Sequence, residues 1–192
     1  MPKIVDDRVI FQAVMQVVAE RGYAGATTRQ MADAARVSEV TLFRKYGNKA
    51  GLVKQAIATL VERSDFASAA RYTGDLRADL LRVVRAYQES AAQYGFFFAA
   101  LFSEVSRQPE LVDALDQPLE IFRAIGELVV RYQAEGGLLS EHPAHAVAAL
   151  LGPMMYAALM HGALPDTQLP PMDLSIHVTR FLQGRQASRP QF

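Results

Sequence analysis

The 192-residue sequence predicts an all-α fold, and three observations lead to this prediction. Apolar residues recur at the three- and four-residue spacing of buried helical faces along most of the chain. Nothing alternates with a period of two over a useful length, and the dipeptides typical of β-hairpin turns are absent. The predicted helices divide into a short N-terminal group and a larger C-terminal group.

The first two helices are predicted from a buried stripe and from their end signals. The stripe of the first helix consists of Ile10, Ala13, Val14, Val17 and Val18. Gly22 supplies the left-handed position that ends this helix. Thr27 and Gln30 have the spacing of a capping box, in which each side chain bonds the backbone N–H of the other residue. The second helix therefore begins beside Thr27.

The third and fourth helices are also predicted from their caps. Ser38 is a typical N-cap, and Glu39 places a negative charge at the positive end of the third helix. Asn48 is the predicted cap of a fourth helix, which we expect to run from Lys49 to about Ala69.

A break at residues 72–74 separates this group from the larger one. The five helices predicted there lie near residues 75–93, 96–107, 110–135, 142–162 and 172–184. The breaks between them are Gly95, Pro109, Gly136–Gly137 and the loop at 165–171. Residues 186–192 are predicted to be a disordered tail.

Composition limits the cellular setting and the class of partner. The chain has no cysteine, which excludes disulfides and thiolate metal sites and fits a reducing cytoplasm. The early charges exclude a signal peptide, and the longest apolar stretch, residues 144–160, is broken by His145, Gly152 and Pro153, so no membrane span is expected. Residues 1–50 hold eight Lys and Arg against five Asp and Glu, whereas the remainder holds twelve against fifteen. The N-terminal excess of positive charge is of the sign required for binding nucleic acid.

Residues 27–46 have the pattern of two short helices joined by a tight turn. A short helix that projects from such a scaffold fits the DNA major groove. Val37, Leu42 and Tyr46 should face inward, which leaves one outward face on the third helix. Arg44 has paired donors for guanine, Glu39 accepts from cytosine, and an apolar group can contact a thymine methyl. The predicted base-reading residues are Glu39, Val40, Thr41 and Arg44.

A second set of polar residues is suited to the DNA backbone. The predicted phosphate contacts are Thr28, Arg29, Ser38, Lys45 and Lys49. Lys49 is the most informative of these, because a cation in the first turn of a helix opposes the macrodipole at a cost of about 0.3–1 kcal/mol. A phosphate at this helix end would make both the lysine and the helix amides favourable. The alternative is a solvated surface lysine.

Three segments carry a resemblance to a known family. They are G-Y-A-G-A-T-T from Gly22, M-A-D-A-A-R-V-S from Met31 and T-L-F-R-K-Y-G-N-K-A-G-L-V from Thr41. The pattern resembles the N-terminal DNA-binding domain of TetR/AcrR-family transcriptional regulators. It covers about a quarter of the chain, and the remainder is similar to the family's regulatory domain in length and helix order only.

The resemblance implies a division into domains, and three positions depart from the family pattern. We expect a helix-turn-helix DNA-binding domain at 1–48 and a helical ligand-binding and dimerisation domain at 49–185, with 49–69 as the linking helix. Arg36 stands where the family usually has glycine, so a left-handed backbone there would cost about 1 kcal/mol. Phe43 replaces a usual tyrosine, and Lys45 replaces a common aromatic residue and could supply a phosphate contact as a point charge.

The resemblance also implies a homodimer that binds double-stranded DNA, with a four-helix interface formed by the helices near 142–162 and 172–184. The candidate interface residues are Val147, Ala148, Leu151, Gly152, Met155, Ala158, Ile176 and Phe181. The alternative is that these helices are simply buried within one subunit. In a two-fold dimer, paired recognition helices about 34–36 Å apart would read two half-sites one helical turn apart.

Family members generally bind a small-molecule effector and then release DNA, which implies a repressor that responds to an apolar molecule. The candidate pocket residues are Tyr87, Phe97, Phe98, Leu101, Phe102, Phe122, Ile125, Met154, Met155 and Tyr156. Ordinary core packing is the alternative for each of them. Glu104 lies within an apolar stretch, where it could pair with a cationic ligand or face solvent.

Enzymatic and metal-binding functions have little support in the sequence. His142 and His145 share a helix-face spacing, but no third ligand is suitably placed, so we expect a surface pair, no metal and no cofactor. The chain lacks a nucleophile elbow, a glycine-rich phosphate loop and a zinc-protease motif. We therefore expect no enzyme, although a triad assembled in space would be invisible here. A second hypothesis is a ligand-binding or interaction module that does not use its helix-turn-helix for specific DNA binding.

Overall fold

The computed structural model describes residues 6–163 and 170–185, and it is all-α, as predicted. The predicted tail at 186–192 lies outside the described residues. The helices are α1 (Asp7–Gly25), α2 (Thr28–Ala35), α3 (Glu39–Tyr46), α4 (Lys49–Arg63), α5 (Phe66–Ala69), α6 (Leu76–Glu104), α7 (Val112–Ala134), α8 (Pro143–Ala163) and α9 (Leu174–Arg185). A 3-10 turn, Pro109–Leu111, precedes α7.

The chain divides into two compact units that do not follow a simple N-terminal and C-terminal split. The first unit contains residues 1–63 and 94–118, and the second contains 64–93 and 119–192. The predicted boundary after residue 48 is based on the family resemblance and stays a prediction.

The core of the first unit forms around the predicted stripe of α1. All five stripe residues are buried, and Leu42 of α3 and Leu52 of α4 are buried in the same cluster. The cluster also contains Phe97, Leu101 and Leu111, which follow residue 93 in the chain. The helix-turn-helix therefore stands on a core that includes the end of α6.

Several predicted helix ends differ from those in the structure, and two of them differ most. The helix predicted to run from Lys49 to about Ala69 ends at Arg63, and the short α5 follows after a turn. The break predicted at Gly95 is wrong, because α6 is continuous over 29 residues. Glycine costs a helix interior only about 1 kcal/mol, and burial of Phe97 and Leu101 just beyond it favours continuation.

The end of α1 is built around Gly22. This glycine has φ +70° and ψ 165°, so the helix kinks there before a last turn to Gly25. The Glu104 carboxylate accepts a hydrogen bond from the backbone N–H of Ala24 at 2.7 Å. From the sequence, Glu104 was expected either to contact a cationic ligand or to face solvent. Neither alternative included this hydrogen bond within the chain.

The second unit contains a buried carboxylate, Asp79, near the start of α6. It accepts hydrogen bonds from the Thr73 hydroxyl at 2.5 Å, the Tyr132 hydroxyl at 2.6 Å and the Arg82 guanidinium at 2.8 Å. Burial alone would raise the pKa of Asp79, but these donors outweigh it and lower the pKa to about 2. The network ties the loop at 72–75 to α6 and α7.

Helix α8 is apolar but only partly covered by the rest of the chain. Among the described residues, the segment 143–160 is long and apolar enough to cross a membrane by length and composition alone, with a mean hydropathy of 1.3. No membrane span was predicted here from the sequence, because His145, Gly152 and Pro153 interrupt the apolar stretch. Only 28% of this segment is buried.

Candidate nucleic-acid interface

The turn between α2 and α3 is fixed by local hydrogen bonds on both sides. Thr27 and Gln30 form the predicted capping box at the start of α2. Arg36 ends that helix in the left-handed conformation, with φ 56° and ψ 41°, and the N–H of Val37 donates to Ala32 O at 3.0 Å. A non-glycine residue there costs about 1 kcal/mol. The Arg36 side chain also adds an exposed guanidinium to this turn.

Helix α3 is anchored on its inner side. The Ser38 hydroxyl accepts a hydrogen bond from the N–H of Thr41 at 3.2 Å, which confirms the predicted cap. Leu42 is buried, and the ring of Tyr46 lies 5.6 Å from the ring of Phe11 on α1. Because both contacts belong to one face, the opposite face of α3 is held outward.

The outward face of α3 presents apolar groups and a cation. Val40 is 75% exposed, and Arg44 is exposed with no ion pair or side-chain hydrogen bond within the described residues. Phe43 is 47% exposed on the same side, one turn from Val40. In the family pattern, Phe43 stood out only as a lost tyrosine. Its spacing of three residues from Val40 is a signal that could have placed it on the reading face.

Several predicted DNA contacts already have partners in the free protein. The Thr28 hydroxyl donates to the Glu39 carboxylate, and the Ser38 and Thr41 hydroxyls are bonded to each other at 2.7 Å. These bonds stiffen the helix-turn-helix. They also mean that DNA would have to share or displace these partners.

The two predicted phosphate lysines point back toward α1. Lys45 forms an ion pair with Asp7, and this hydrogen bond raises the pKa of the Lys45 amine. Lys49 donates to the carbonyls of Tyr23 at 2.8 Å and Ala26 at 3.2 Å, and its ammonium lies 4.1 Å from the Tyr23 ring centre. Lys49 therefore stabilises the C-terminal end of α1, which is the negative end of that helix.

The exposed cations around the turn that have no ion-pair partner among the described residues are arginines. Arg29, Arg36 and Arg44 are all exposed, and none of them forms an ion pair within the part of the chain that the structure describes. They are therefore available to phosphate or base without displacing an internal partner. The roles of all the predicted DNA-contacting residues stay predictions.

The predicted pocket residues fall in both compact units. In the first unit, Phe97 and Leu101 are buried in the core, Phe98 packs against it, and Phe102 is exposed. In the second unit, Tyr87 and Phe122 surround Phe66 with ring-centre distances of 5.4 and 5.9 Å. Burial raises the pKa of Tyr87. The other members of this unit are Ile125 and Met154, which are buried, and Met155 and Tyr156, which are exposed.

The predicted interface residues divide by exposure. Those buried within the chain are Val147, Leu151 and Phe181, and those exposed are Ala148, Met155 and Ile176. Gly152 and Ala158 are intermediate. Tyr156 and Leu159, which were not predicted for the interface, extend the exposed apolar surface of α8. The buried members fit the alternative of intrachain packing, whereas the exposed ones remain free to contact a second copy.

The two histidines, His142 and His145, lie close together at the start of α8. The rings of His142 and His145 lie 5.6 Å apart, and His142 Nδ1 accepts from the N–H of Ala144 at 3.3 Å. No group of three or more metal-binding side chains occurs among residues 6–163 and 170–185.

Two family models match the chain. The one for bacterial regulatory proteins of the tetR family matches residues 10–56, which contain the helix-turn-helix. The one for the tetracyclin repressor-like C-terminal domain matches residues 70–171, more than half of the chain.

Curated relatives of this chain are also described as helix-turn-helix (HTH) transcriptional regulators. An uncharacterized HTH-type transcriptional regulator of Mycobacterium tuberculosis is 29% identical over 132 residues, which are 68% of this chain and 64% of that protein. The chain thus matches slightly less than two thirds of that relative's length. YvkB of Bacillus subtilis, also an uncharacterized HTH-type transcriptional regulator, is 40% identical over 75 residues, or 38% of this chain and 39% of that protein.

Solved structures share the fold at low identity. A candidate TetR-family regulator from Rhodococcus sp. has a TM-score of 0.74 at 19% identity and covers 93% of this chain and 97% of that chain. A candidate transcriptional regulator from Pseudomonas aeruginosa has a TM-score of 0.73 at 19% identity, with coverages of 93% and 88%. These sequence and structural matches agree, and the chain belongs to the TetR family of bacterial regulatory proteins, which are helix-turn-helix transcriptional regulators.

Proposed function

We propose that this chain is a dimeric repressor that binds a palindromic operator and releases it when a small apolar molecule binds. The outward face of α3 carries this proposal. Arg44 and Val40 are exposed there without internal partners, on a helix whose opposite face is anchored by Leu42. A guanidinium and an apolar group on one short helix provide base readout for guanine and for a thymine methyl.

The phosphate contacts would come from the turn and its neighbours. Arg29 and Arg36 lie free on the surface beside the recognition helix. Their charges would neutralise phosphates whatever the sequence, so they contribute affinity and position rather than specificity. Lys45 would add a further contact once it leaves Asp7.

Dimerisation would follow from the surface of α8. Ala148, Met155, Tyr156 and Leu159 recur at the spacing of one helical face, and all four are exposed in the single chain. On α9, Ile176 is 49% exposed. A second copy would bury this apolar face, and regulators of this family act as dimers. A two-fold pair would match a palindrome whose half-sites are one helical turn apart.

The effector would be apolar and would bind in the helical body. Tyr87 and Phe122 are half-buried around the buried Phe66, and this cluster offers aromatic surface with one polar hydroxyl, which suits an apolar ligand with a single polar group. Release requires that this ligand bind more tightly to a conformation of the dimer that cannot contact both half-sites.

A purified transcription assay would test the regulatory direction. The operator would be placed across a promoter, and transcript would be measured as the protein is added. We expect transcription to fall, and then to recover when a neutral apolar compound from a screening panel binds. A control promoter without the operator should not respond. A rise in transcription on adding the protein would identify an activator instead.

A further inference from the structure

Lys45 and Asp7 form an ion pair at the edge of the candidate DNA surface. Lys45 lies in the last turn of α3 and Asp7 in the first turn of α1. We propose that Asp7 is an internal competitor for DNA phosphate: its carboxylate holds the Lys45 ammonium in the free protein and must release it when DNA binds. This inference rests on the proposed function, since it requires that Lys45 contact phosphate.

The surroundings leave the Lys45 ammonium room to move. The pair borders an open cleft of ≈ 420 Å³, which Phe11, Tyr46 and Arg63 also line. Tyr46 is fixed against Phe11, which holds the backbone of Lys45, and the ammonium at the end of the flexible Lys45 side chain lies 5.5 Å from the centre of the Tyr46 ring. The ammonium can therefore exchange partners without any movement of α3.

The pair is suited to exchange because it is only partly shielded from water. The Lys45 side chain is 46% exposed and the Asp7 side chain 43%. A pair with this exposure is weak and is screened by salt, so a phosphate can displace the carboxylate. After displacement, Asp7 keeps an unpaired negative charge beside DNA and takes up a cation from solution. Part of the counterion release that phosphate binding normally provides is thereby lost.

Arg44 provides the contrast on the same helix. Its guanidinium has no internal partner among the described residues, so base contact needs no exchange. Asp7 would therefore lower the affinity for any duplex without changing the discrimination among sequences, because phosphate contacts carry no sequence information.

A matched pair of charge-removing variants tests this proposal. Asp7→Asn removes the competitor, and Asp6→Asn removes the same charge one residue earlier. Asp6 caps α1 by accepting from the N–H of Arg8 at 3.0 Å, a role that asparagine keeps. Fluorescence anisotropy would follow binding to an operator duplex selected from a random pool and to a random duplex of equal length. The salt concentration would range from 50 to 200 mM, roughly the range over which phosphate contacts dominate.

We expect Asp7→Asn to tighten binding of both duplexes by roughly 1.5- to 5-fold per protomer beyond any effect of Asp6→Asn. The slope of log affinity against log salt should steepen by up to about 0.9 per protomer, with the operator-to-random ratio unchanged. In a Lys45→Met background, Asp7→Asn should behave like Asp6→Asn. Asp7→Ser provides a second removal of the carboxylate, should the asparagine variant fold poorly.

Three outcomes would overturn the proposal. These are equal effects of the two asparagine variants, an Asp7→Asn effect that persists in the Lys45→Met background, or weaker binding of the Asp7→Asn protein. Failure of the proposed function is distinguishable, because the wild-type protein would then show no preference for the operator over the random duplex at any salt concentration.

Discussion

The hydroxyl of Thr28 donates a hydrogen bond to the carboxylate of Glu39, which joins the first turn of α2 to the first turn of α3. The contact links two residues that the sequence analysis assigned to different parts of the DNA, a phosphate and a base. It stiffens the helix-turn-helix and engages one of the two carboxylate oxygens of Glu39. Arg44 differs from Glu39, because its charged group has no partner among the described residues.

Arg44→Ala should weaken binding to the operator by about 1–3 kcal/mol and relax the preference at one base pair of each half-site. The reason is that a guanidinium offers paired donors to guanine, which alanine lacks. Competition gel shifts with single-base operator variants would measure both effects. Lys54→Ala is the matched control, since it removes an exposed cation from the neighbouring α4. An equal loss on operator and random DNA would remove Arg44 from the base-reading residues.

Met155→Glu should convert the proposed dimer to a monomer and abolish tight operator binding. Met155 lies on the exposed apolar face of α8, and a buried unpaired carboxylate at an interface is costly. Val130→Glu on α7 is the control, because the two side chains are 47% and 46% exposed in the single chain. Sedimentation equilibrium would measure the assembly of each. If both variants remain dimers, the interface lies elsewhere.

Asp79 should make the stability of the protein dependent on acid pH. Its pKa is lowered from 3.8 to about 2, so its contribution is complete above the unfolded-state value and is lost as the pH falls toward 2. The shift corresponds to about 2 kcal/mol in the free energy of unfolding. Urea unfolding at pH 7 and in steps from pH 5 to about 2 would follow this loss.

Asp79→Asn should be less stable than the wild type at neutral pH and should lack this part of the acid loss. Asp75→Asn removes a nearby charge but keeps its cap to the N–H of Ala78, and it should retain the wild-type dependence. An Asp79→Asn protein that loses stability between pH 4 and about 2 as steeply as the wild type would contradict the assignment.

Gly22→Ala should lower the free energy of unfolding by about 1–3 kcal/mol, because φ +70° with ψ 165° is a backbone region that is essentially restricted to glycine. A Cβ at Gly22 would also overlap the Glu104 carboxylate, but that group is the flexible end of a side chain and can move. Gly25→Ala is the control, because a Cβ there meets only Arg21 Cβ at 3.7 Å and the φ of Gly25 is not positive. In a Glu104→Ala background the Gly22 penalty should stay the same. A penalty that largely disappears in this background would show that Glu104, rather than the backbone, constrains the turn.

The sequence predicted the local features of the DNA-binding unit well, for a physical reason. Caps such as Thr27 and Ser38, and the stripe of α1, depend on residues three or four positions apart. Because these signals depend only on nearby residues, the sequence alone was enough to place these caps and this helix. The left-handed Arg36 was anticipated only through the family pattern.

Features that depend on distant residues were not predictable in the same way. The continuity of α6 through Gly95 follows from the burial of Phe97 and Leu101, which the local sequence does not encode. Lys49 is a residue type that commonly contacts phosphate, yet its ammonium lies against the carbonyls at the end of α1. A sequence pattern identifies a free charge but not the partner that folding brings to it.

Selection of bound sequences from a random duplex pool tests the central claim most directly. The retained duplexes would be sequenced and their affinities measured by gel shift across salt concentrations. We predict enrichment of a palindrome with half-site centres about one helical turn apart, bound with steep salt dependence. Salt-sensitive retention with no enriched motif would contradict a sequence-specific dimeric regulator.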